Sequence, residues 1–198
     1  MFKFALMLGL TFFGAVSSQA STIFNDGFDP YEGLGPYTTV NNGGTIGPWT
    51  VGGAGVDWIG SYWQAAGGTG SVDMSAMDAG ALSTTLNTIA GQVYVLTFYL
   101  SGNPDGAPSQ KQLQVQVADL NQVVSFDTTG HGLNSMGWTK ESFMFTAQGN
   151  DVLQFTSLAS TPYGPALDQV TVGSVPEPGT YAIALLGLAG IVIFRRRR

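Results

Sequence analysis

Few side chains in this chain could carry out catalysis. The sequence has one histidine, His131, between Gly130 and Gly132, and it has no cysteine. A Ser-His-Asp triad would have to use that histidine, but no Gly-x-Ser-x-Gly elbow is present, and a glycine-flanked loop is a poor place to hold a general base. The composition also excludes a zinc site with three histidine or cysteine ligands. We therefore predict no catalytic residues and no enzyme activity.

Paired carboxylates are the remaining candidates for chemistry. Glycoside hydrolysis needs two carboxyl groups about 5–10 Å apart in a cleft. Asp57, Asp73 and Asp78 are candidates. No motif selects a pair among them, so a glycan-active enzyme is the interpretation that we favour least.

Aromatic residues cluster in a glycine-rich stretch and form a candidate binding site. Trp58, Tyr62 and Trp63 lie within six positions, in what the sequence indicates is a loop tip. Exposed aromatic rings on a rigid scaffold can stack on sugar faces, so we predict ligand contact for these three. Trp49 and Trp138 are expected instead to be core residues at strand starts.

The turn of residues 103–106 offers polar side chains near such a site. Asn103 and Asp105, with Lys111 further on, could contact a ligand. The alternative is that Asn, Pro, Asp and Gly serve only to form the turn.

The elements that position these residues are predicted to be β-strands. Residues 110–117 read Gln-Lys-Gln-Leu-Gln-Val-Gln-Val, so Leu113, Val115 and Val117 share one face and the glutamines share the other, as in a half-buried strand. Residues 92–100 are apolar on both faces, as in a central strand. The other predicted strands cover residues 49–51, 55–59, 71–74, 80–88, 136–147, 151–158 and 167–172.

The fold class follows from these strands. No segment between the chain ends has apolar residues at helical spacing over three turns, which argues against βαβ folds. The 28 glycines indicate many tight turns. We predict one all-β domain at residues 21–174, built as a two-sheet sandwich of the jelly-roll type.

The last predicted strand contains an acidic residue among apolar ones. If the strand is regular, Asp168 shares a face with Val170 and Val172 and points toward the core. A buried carboxylate needs a partner. Backbone N–H groups and a metal ion are both open as that partner.

The two ends of the chain are expected to direct its export. Residues 1–20 have one lysine, an apolar core and small residues before Ser21, which predicts a signal peptide cleaved after Ala20 by the secretion machinery. Residues 181–194 form an apolar run of 14 residues followed by four arginines at 195–198. As a helix this run is about 21 Å long, against about 30 Å of bilayer hydrocarbon. We predict a short transmembrane helix with the arginines in the cytoplasm.

The tail of residues 175–198 resembles the PEP-CTERM sorting signal of Gram-negative bacteria. Its triplet is Pro176, Glu177 and Pro178. The resemblance implies that an exosortase reads these residues and removes the tail. It also implies an inner-membrane intermediate and a final location at the cell surface or in the extracellular matrix.

The charge of the central part limits its partners. Residues 21–174 have two lysines against twelve acids, a net charge of −10. Such a surface repels nucleic acid and anionic lipid. It suits neutral sugars, or divalent cations that bridge it to anionic polymers.

The central part also resembles a known family. It is similar to the choice-of-anchor C family, to the domain of unknown function of plant cell-wall proteins, and to galactose-binding-like jelly rolls. Six blocks in order carry the resemblance, at residues 25–29, 48–51, 70–74, 100–104, 136–138 and 164–170. The resemblance implies a structural calcium held by Asp29 and Asp168. We expect a carbohydrate-binding or exopolysaccharide-binding surface protein. The alternative is a structural or adhesive biofilm matrix protein without a specific sugar site.

Overall fold

The computed structural model of the chain describes residues 20–33 and 35–175. The Pro-Glu-Pro triplet, the predicted transmembrane helix at 181–194 and the basic tail at 195–198 lie outside the described residues, as does the predicted signal peptide up to residue 19. Within the described ranges, no helix has the length and apolar character needed to cross a membrane. Residues Ser21–Val175 form one compact unit.

The described residues form thirteen β-strands. They are β1 Thr22–Asp26, β2 Tyr37–Val40, β3 Thr45–Ile46, β4 Trp49–Gly53, β5 Val56–Ile59, β6 Ser71–Asp73, β7 Gly80–Thr85, β8 Val93–Gly102, β9 Gln110–Val117, β10 Leu120–Asp127, β11 Thr139–Thr146, β12 Val152–Ser157 and β13 Pro165–Ser174.

The strands pair into two antiparallel sheets. The seven-stranded sheet has the order β11-β8-β13-β6-β5-β2, with β1 beside the second half of β13. The six-stranded sheet has the order β10-β9-β12-β7-β4-β3. This architecture confirms the predicted all-β sandwich.

The main core lies between the two sheets and is rich in aromatic rings. Trp49 is fully buried, and its ring centroid lies 5.8 Å from that of Phe155, which in turn lies 5.1 Å from that of Phe98. In β9 the alternation works as predicted, because Leu113 and Val115 are buried in this core. Trp49 is thus the core residue that the sequence indicated.

A bulge in β13 changes the face on which Asp168 lies. The pairing with β8 shifts between Asp168 and Thr171, and Gln169 has φ of 50°. The extra residue puts Leu167 and Val170 on the same, core-facing side. Asp168 therefore does not share a face with Val170, and the expectation of a regular strand was wrong. Its carboxylate is buried on the opposite side of the sheet.

Four strands were not predicted from the sequence, and three of them are sheet edges. An edge strand is covered on fewer sides, so its alternation of apolar and polar residues is weak. In β10, for example, only Phe126 is buried. The strands that were not predicted are β1, β2, β3 and β10.

Candidate functional site

The outer face of the seven-stranded sheet holds a cleft near the β2 edge. The strand register places Tyr37 opposite Ile59, and Asp57 opposite both Thr39 and Asp73. Cross-strand partners project from the same face of a sheet, so these side chains meet. The cleft has a volume of about 320 Å³. Its lining comprises Tyr37, Thr39, Asp57, Ile59, Tyr62, Asp73, Ala76, Met77, Asn103, Pro162 and Tyr163.

The floor of the cleft is a buried carboxylate with a full set of donors. Asp73 is 1% exposed, and it accepts hydrogen bonds from Asn103 Nδ2 at 2.8 Å and from the backbone N of Ser75 and Gly164, both at 3.1 Å. Burial nevertheless raises the pKa of Asp73 to about 7, and the neighbouring charge of Asp57 adds to this. The donors hold Asp73 in place, so it shapes the cleft more than it reaches into it.

Asp57 is the carboxylate that is open to the cleft. It is half-buried, and the Thr39 hydroxyl donates a hydrogen bond to it at 2.5 Å. Burial raises the pKa of Asp57, and the bond from Thr39 opposes that change. An ionised Asp57 can accept further hydrogen bonds from a ligand.

Tyrosine rings form the walls of the cleft. Tyr37 is 43% exposed, and its ring meets that of Tyr62 edge to face at 5.4 Å. The Tyr62 hydroxyl donates to Asp105, which raises the pKa of Tyr62 to about 12. Tyr163 lines the cleft as well, and Met77, 78% exposed, lies at its rim. The walls therefore offer apolar faces above a polar floor.

A buried lysine anchors the loops behind the cleft. Lys111 is fully buried, and its Nζ donates to the backbone carbonyls of Gly106 at 2.7 Å and Tyr163 at 2.8 Å. Burial lowers the pKa of Lys111, while the charge of Asp73 opposes that change. Gly102 packs on the lysine stem, since a Cβ there would lie 2.4 Å from Lys111 Cγ. Lys111 thus ties the β8–β9 loop to the β12–β13 loop.

The three aromatic residues that were predicted to bind a ligand do not form one exposed site, although the ring centroids of Tyr62 and Trp63 lie 5.8 Å apart. Tyr62 lines the cleft. Trp58 lies on the other face of β5, where its Nε1 donates to the Phe28 carbonyl at 3.0 Å and its ring packs against the main core. Trp63 is 4% exposed, and its Nε1 donates to Ser71 Oγ at 2.8 Å. The expectation for Trp63 is corrected, because a ring this buried cannot stack on a ligand.

Trp63 belongs to a second apolar cluster that covers part of the outer sheet face. Its partners in that cluster are Ile59, Met136 and Ala166. Trp138 packs against the cluster and donates from Nε1 to the Gln64 carbonyl at 2.8 Å. The loop of residues 60–70 is therefore held down on the sheet by Trp63, while its other aromatic residue, Tyr62, lines the cleft.

Loop 60–70 also covers the two acids that were expected to bind calcium. Asp29 Oδ1 accepts from the backbone N of residues 69 and 70, at 2.6 and 2.7 Å, and from the Thr69 hydroxyl at 3.1 Å. Asp168 Oδ2 accepts from the backbone N of residues 66 and 67, at 2.8 and 3.1 Å, and its Oδ1 accepts from Gln169 N at 2.6 Å. Burial raises the pKa of Asp168 to about 7 despite these bonds.

These donors do not fit a calcium site. Calcium takes six to eight oxygen ligands, whereas N–H groups surround Asp29 Oδ1 and both oxygens of Asp168. Within residues 20–33 and 35–175, no group of three or more His, Cys, Asp or Glu residues is placed to hold a metal ion. The arrangement corresponds to the alternative left open by the sequence, a carboxylate satisfied by backbone N–H groups.

Several cleft residues escaped the sequence analysis. Tyr37 and Tyr163 were not selected, because they are 126 positions apart and nothing local links them. Asn103 was predicted as a polar contact, and the structure places it at the cleft through its bond to Asp73. The alternation in β9 could have indicated that Lys111 is buried, because Lys111 stands on the same face of the strand as the buried Leu113.

Two family models match the chain and together cover residues 24–198. Residues 24–173 match a family described as a protein of unknown function, DUF642. Residues 174–198 match the PEP-CTERM protein-sorting motif. Both matches confirm resemblances given by the sequence, and the sorting motif indicates an exported protein. Neither match tests the choice-of-anchor C resemblance.

One curated relative and two solved structures are informative. Halomucin of Haloquadratum walsbyi is 29% identical over 183 residues, which is 87% of this chain and 2% of that protein. The CBM22-1 xylan-binding domain of Paenibacillus barcinonensis superposes with a TM-score of 0.51 at 16% identity, covering 82% of this chain and all of that one. The CBM22-1 and GH10 modules of a Clostridium thermocellum xylanase superpose with a TM-score of 0.50 at 15% identity, covering 78% and 29%. The chain thus shares the fold of carbohydrate-binding modules.

Proposed function

The chain belongs to the DUF642 family, and from that premise we propose that it is an exported surface protein whose outer-face cleft binds carbohydrate. The cleft between Tyr37 and Tyr163 is the observation that carries the proposal. Its ligand would be an exopolysaccharide or a cell-wall glycan.

The chemistry of the cleft suits a sugar ring. A pyranose has a C–H face that packs on aromatic rings and hydroxyl groups that donate hydrogen bonds. The tyrosines supply the rings, and Asp57 supplies an acceptor. Tyr37, Asp57 and Asp73 stand on strands of a paired sheet, and Lys111 holds the loop that carries Tyr163. This part of the site is therefore formed before the ligand arrives.

Binding without hydrolysis is favoured over a glycan-active enzyme. Asp57 and Asp73 are register partners and are the only pair of carboxylates among the residues lining the cleft. However, both oxygens of Asp73 accept protein donors, and the side chain is 1% exposed. It is therefore poorly placed to protonate a glycosidic oxygen.

The binding proposal predicts a loss of affinity when the exposed wall is removed. We expect Tyr37→Ala to weaken binding about tenfold, since ring packing beyond burial contributes about 0.5–1.5 kcal/mol and area burial adds to it. The measurement is calorimetric titration of the full chain, in mild detergent, with a panel of soluble oligosaccharides. Met144→Ala is the control, because Met144 is an exposed side chain on β11, at the opposite edge of the same sheet.

Three outcomes of this experiment separate the candidate functions. Selective loss in Tyr37→Ala supports the cleft as the sugar site. If no oligosaccharide binds, the structural or adhesive matrix interpretation replaces it. Shortening of the oligosaccharides, abolished by Asp57→Asn, would establish the enzyme instead.

We also propose that an exosortase processes the tail at Pro176, Glu177 and Pro178, residues that lie within the match to the sorting motif. The short apolar run at 181–194 suits a temporary membrane anchor. Mass spectrometry of the protein recovered from the surface of producing cells is expected to show a C-terminus near Pro176. Recovery of intact Arg198 in the surface form would contradict the proposal.

A further inference from the structure

The lining of the cleft carries negative charge and no cation. Asp57 and Asp73 contribute carboxylates, and Asp105 lies behind the Tyr62 hydroxyl. The described residues include two lysines and no arginine. Lys140 stands on β11, at the sheet edge opposite β2. The charge of the cleft is therefore open to compensation by a ligand.

Lys111, the other lysine, does not neutralise the cleft directly. Its Nζ donates to the carbonyls of Gly106 and Tyr163, and the side chain has no exposed surface. It lies behind the floor, where it moderates the field of Asp73 at longer range. Asp57 faces the cleft, and within the described part of the chain its hydrogen-bond donor is the Thr39 hydroxyl. A ligand cation beside Asp57 would thus add an ion pair that the protein itself does not supply.

The register of the strands gives a second reason to expect a cationic ligand group in the cleft. Asp57 and Asp73 face each other across β5 and β6, so a charge on one opposes a charge on the other, and burial together with Asp57 raises the pKa of Asp73 to about 7. A positive group between the tyrosine walls would relieve this repulsion. Aromatic rings attract cations, and the lining contains three tyrosines, although Lys111 Nζ already lies 6.0 Å from the centroid of the Tyr163 ring. Small divalent ions fit poorly, since the described residues offer no cluster of three or more ligating side chains.

We propose that the cleft selects glycans that carry a free, protonated amine, such as de-N-acetylated hexosamine polymers, over their neutral or N-acetylated counterparts. This inference rests on the proposed function and names its ligand class. The amine pairs with Asp57, and the sugar ring packs between the tyrosine walls. An anionic glycan containing uronic acids is excluded by the same charges.

The test compares two ligands that differ in the amine alone. The full chain in mild detergent is titrated with glucosamine tetramer and with N-acetylglucosamine tetramer at pH 6, where the free amine is protonated. We expect the glucosamine tetramer to bind about tenfold more tightly. The preference should shrink when salt is raised from 0.05 to about 0.5 M, because a partly exposed ion pair is screened.

Asp57→Asn locates the preference. The variant is isosteric and keeps an acceptor for the Thr39 hydroxyl, and we expect it to reduce the preference to about threefold or less. Asp119→Asn is the matched control. Asp119 lies in the β9–β10 turn, outside the cleft, where it is exposed and accepts a hydrogen bond from Thr146 N. Its substitution should leave the preference for the amine unchanged.

Each outcome decides between the inference and the function on which it rests. If both tetramers bind equally, the amine inference is overturned while sugar binding stands. If the preference for the amine is unchanged in Asp57→Asn, another part of the protein binds the amine and the inference also fails. If neither tetramer binds but a neutral oligosaccharide of the wider panel does, the inference alone fails. If no glycan binds at all, the proposed function itself is lost.

Discussion

Lys111→Met is expected to lower the free energy of unfolding by about 3 kcal/mol. Methionine fills much of the same volume, so little packing is lost. What is lost is the ammonium that satisfies the carbonyls of Gly106 and Tyr163, and each buried unsatisfied polar group costs about 1–3 kcal/mol. The melting temperature should fall by roughly 10 °C. Thermal unfolding of the purified chain measures it.

Lys140→Met is the control for this change. It removes the same charge with the same substitution, but Lys140 is exposed on β11. Exposed substitutions of this kind usually stay within about 0.5 kcal/mol. If both variants melt at the same temperature as the parent chain, the two carbonyls find other donors and Lys111 is not an anchor.

The same lysine links stability to binding. The β8–β9 loop carries Asn103, and the β12–β13 loop carries Tyr163, so both sides of the cleft depend on the tie. Gly106 packs flat on the Tyr163 ring, where a Cβ would lie 2.1 Å away. Oligosaccharide affinity of Lys111→Met, measured well below its melting point, should therefore fall as well. The lysine acts on the ligand through the loops that it positions.

The strands of the core could be predicted from the sequence because their pattern is local. In β9 buried side chains alternate with side chains that face away from the core, and this period of two runs through all eight residues of the strand. The edge strands carry a weaker pattern, since fewer of their side chains are buried. For this reason β10, with Phe126 alone buried, escaped the analysis.

The cleft could not be predicted in the same way, because it depends on register. Asp57 and Asp73 were both candidates in the sequence, along with Asp78, but only the pairing of β5 with β6 sets them opposite each other. Asp168 shows the reverse case. Its expected direction assumed a regular strand, and the bulge at Gln169 moved it to the other face.

That displacement makes Asp168 one of two acids that anchor loop 60–70. Its carboxylate is fully buried and accepts three backbone N–H groups, two of them from the loop. The loop in turn brings Trp63 onto the sheet and ends at β6, which carries Asp73. Asp168 thus fixes the middle of the segment between two strands of the cleft, while Asp29 holds its end at residues 69 and 70.

Asp168→Ala is expected to lower the free energy of unfolding by about 3 kcal/mol at neutral pH. Three hydrogen bonds to a charged or polar acceptor are lost, at about 1 kcal/mol each. Asp78→Ala is the control, since Asp78 is exposed and accepts only from its neighbour Ala79 in the described structure. Protection of the amides of Ala66 and Gly67 from hydrogen exchange should fall in Asp168→Ala and be unchanged in the control.

The destabilisation by Asp168→Ala should depend on pH. A loss of packing alone would destabilise the chain equally at every pH, so this measurement distinguishes the two causes. The pKa of Asp168 is raised by burial from 3.8 to about 7 in the folded chain. The folded state therefore binds a proton more readily than the unfolded state, so the stabilisation from Asp168 is largest below pH 4 and declines as pH rises through 7. The difference in unfolding free energy between parent and variant should be roughly 1–2 kcal/mol larger at pH 5 than at pH 8. The other titrating groups are shared by the two chains and cancel in this comparison, apart from the coupling between Asp168 and the charge of Asp29. A difference that is constant with pH would mean that the pKa of Asp168 stays near its ordinary value, because its three N–H donors balance the effect of its burial.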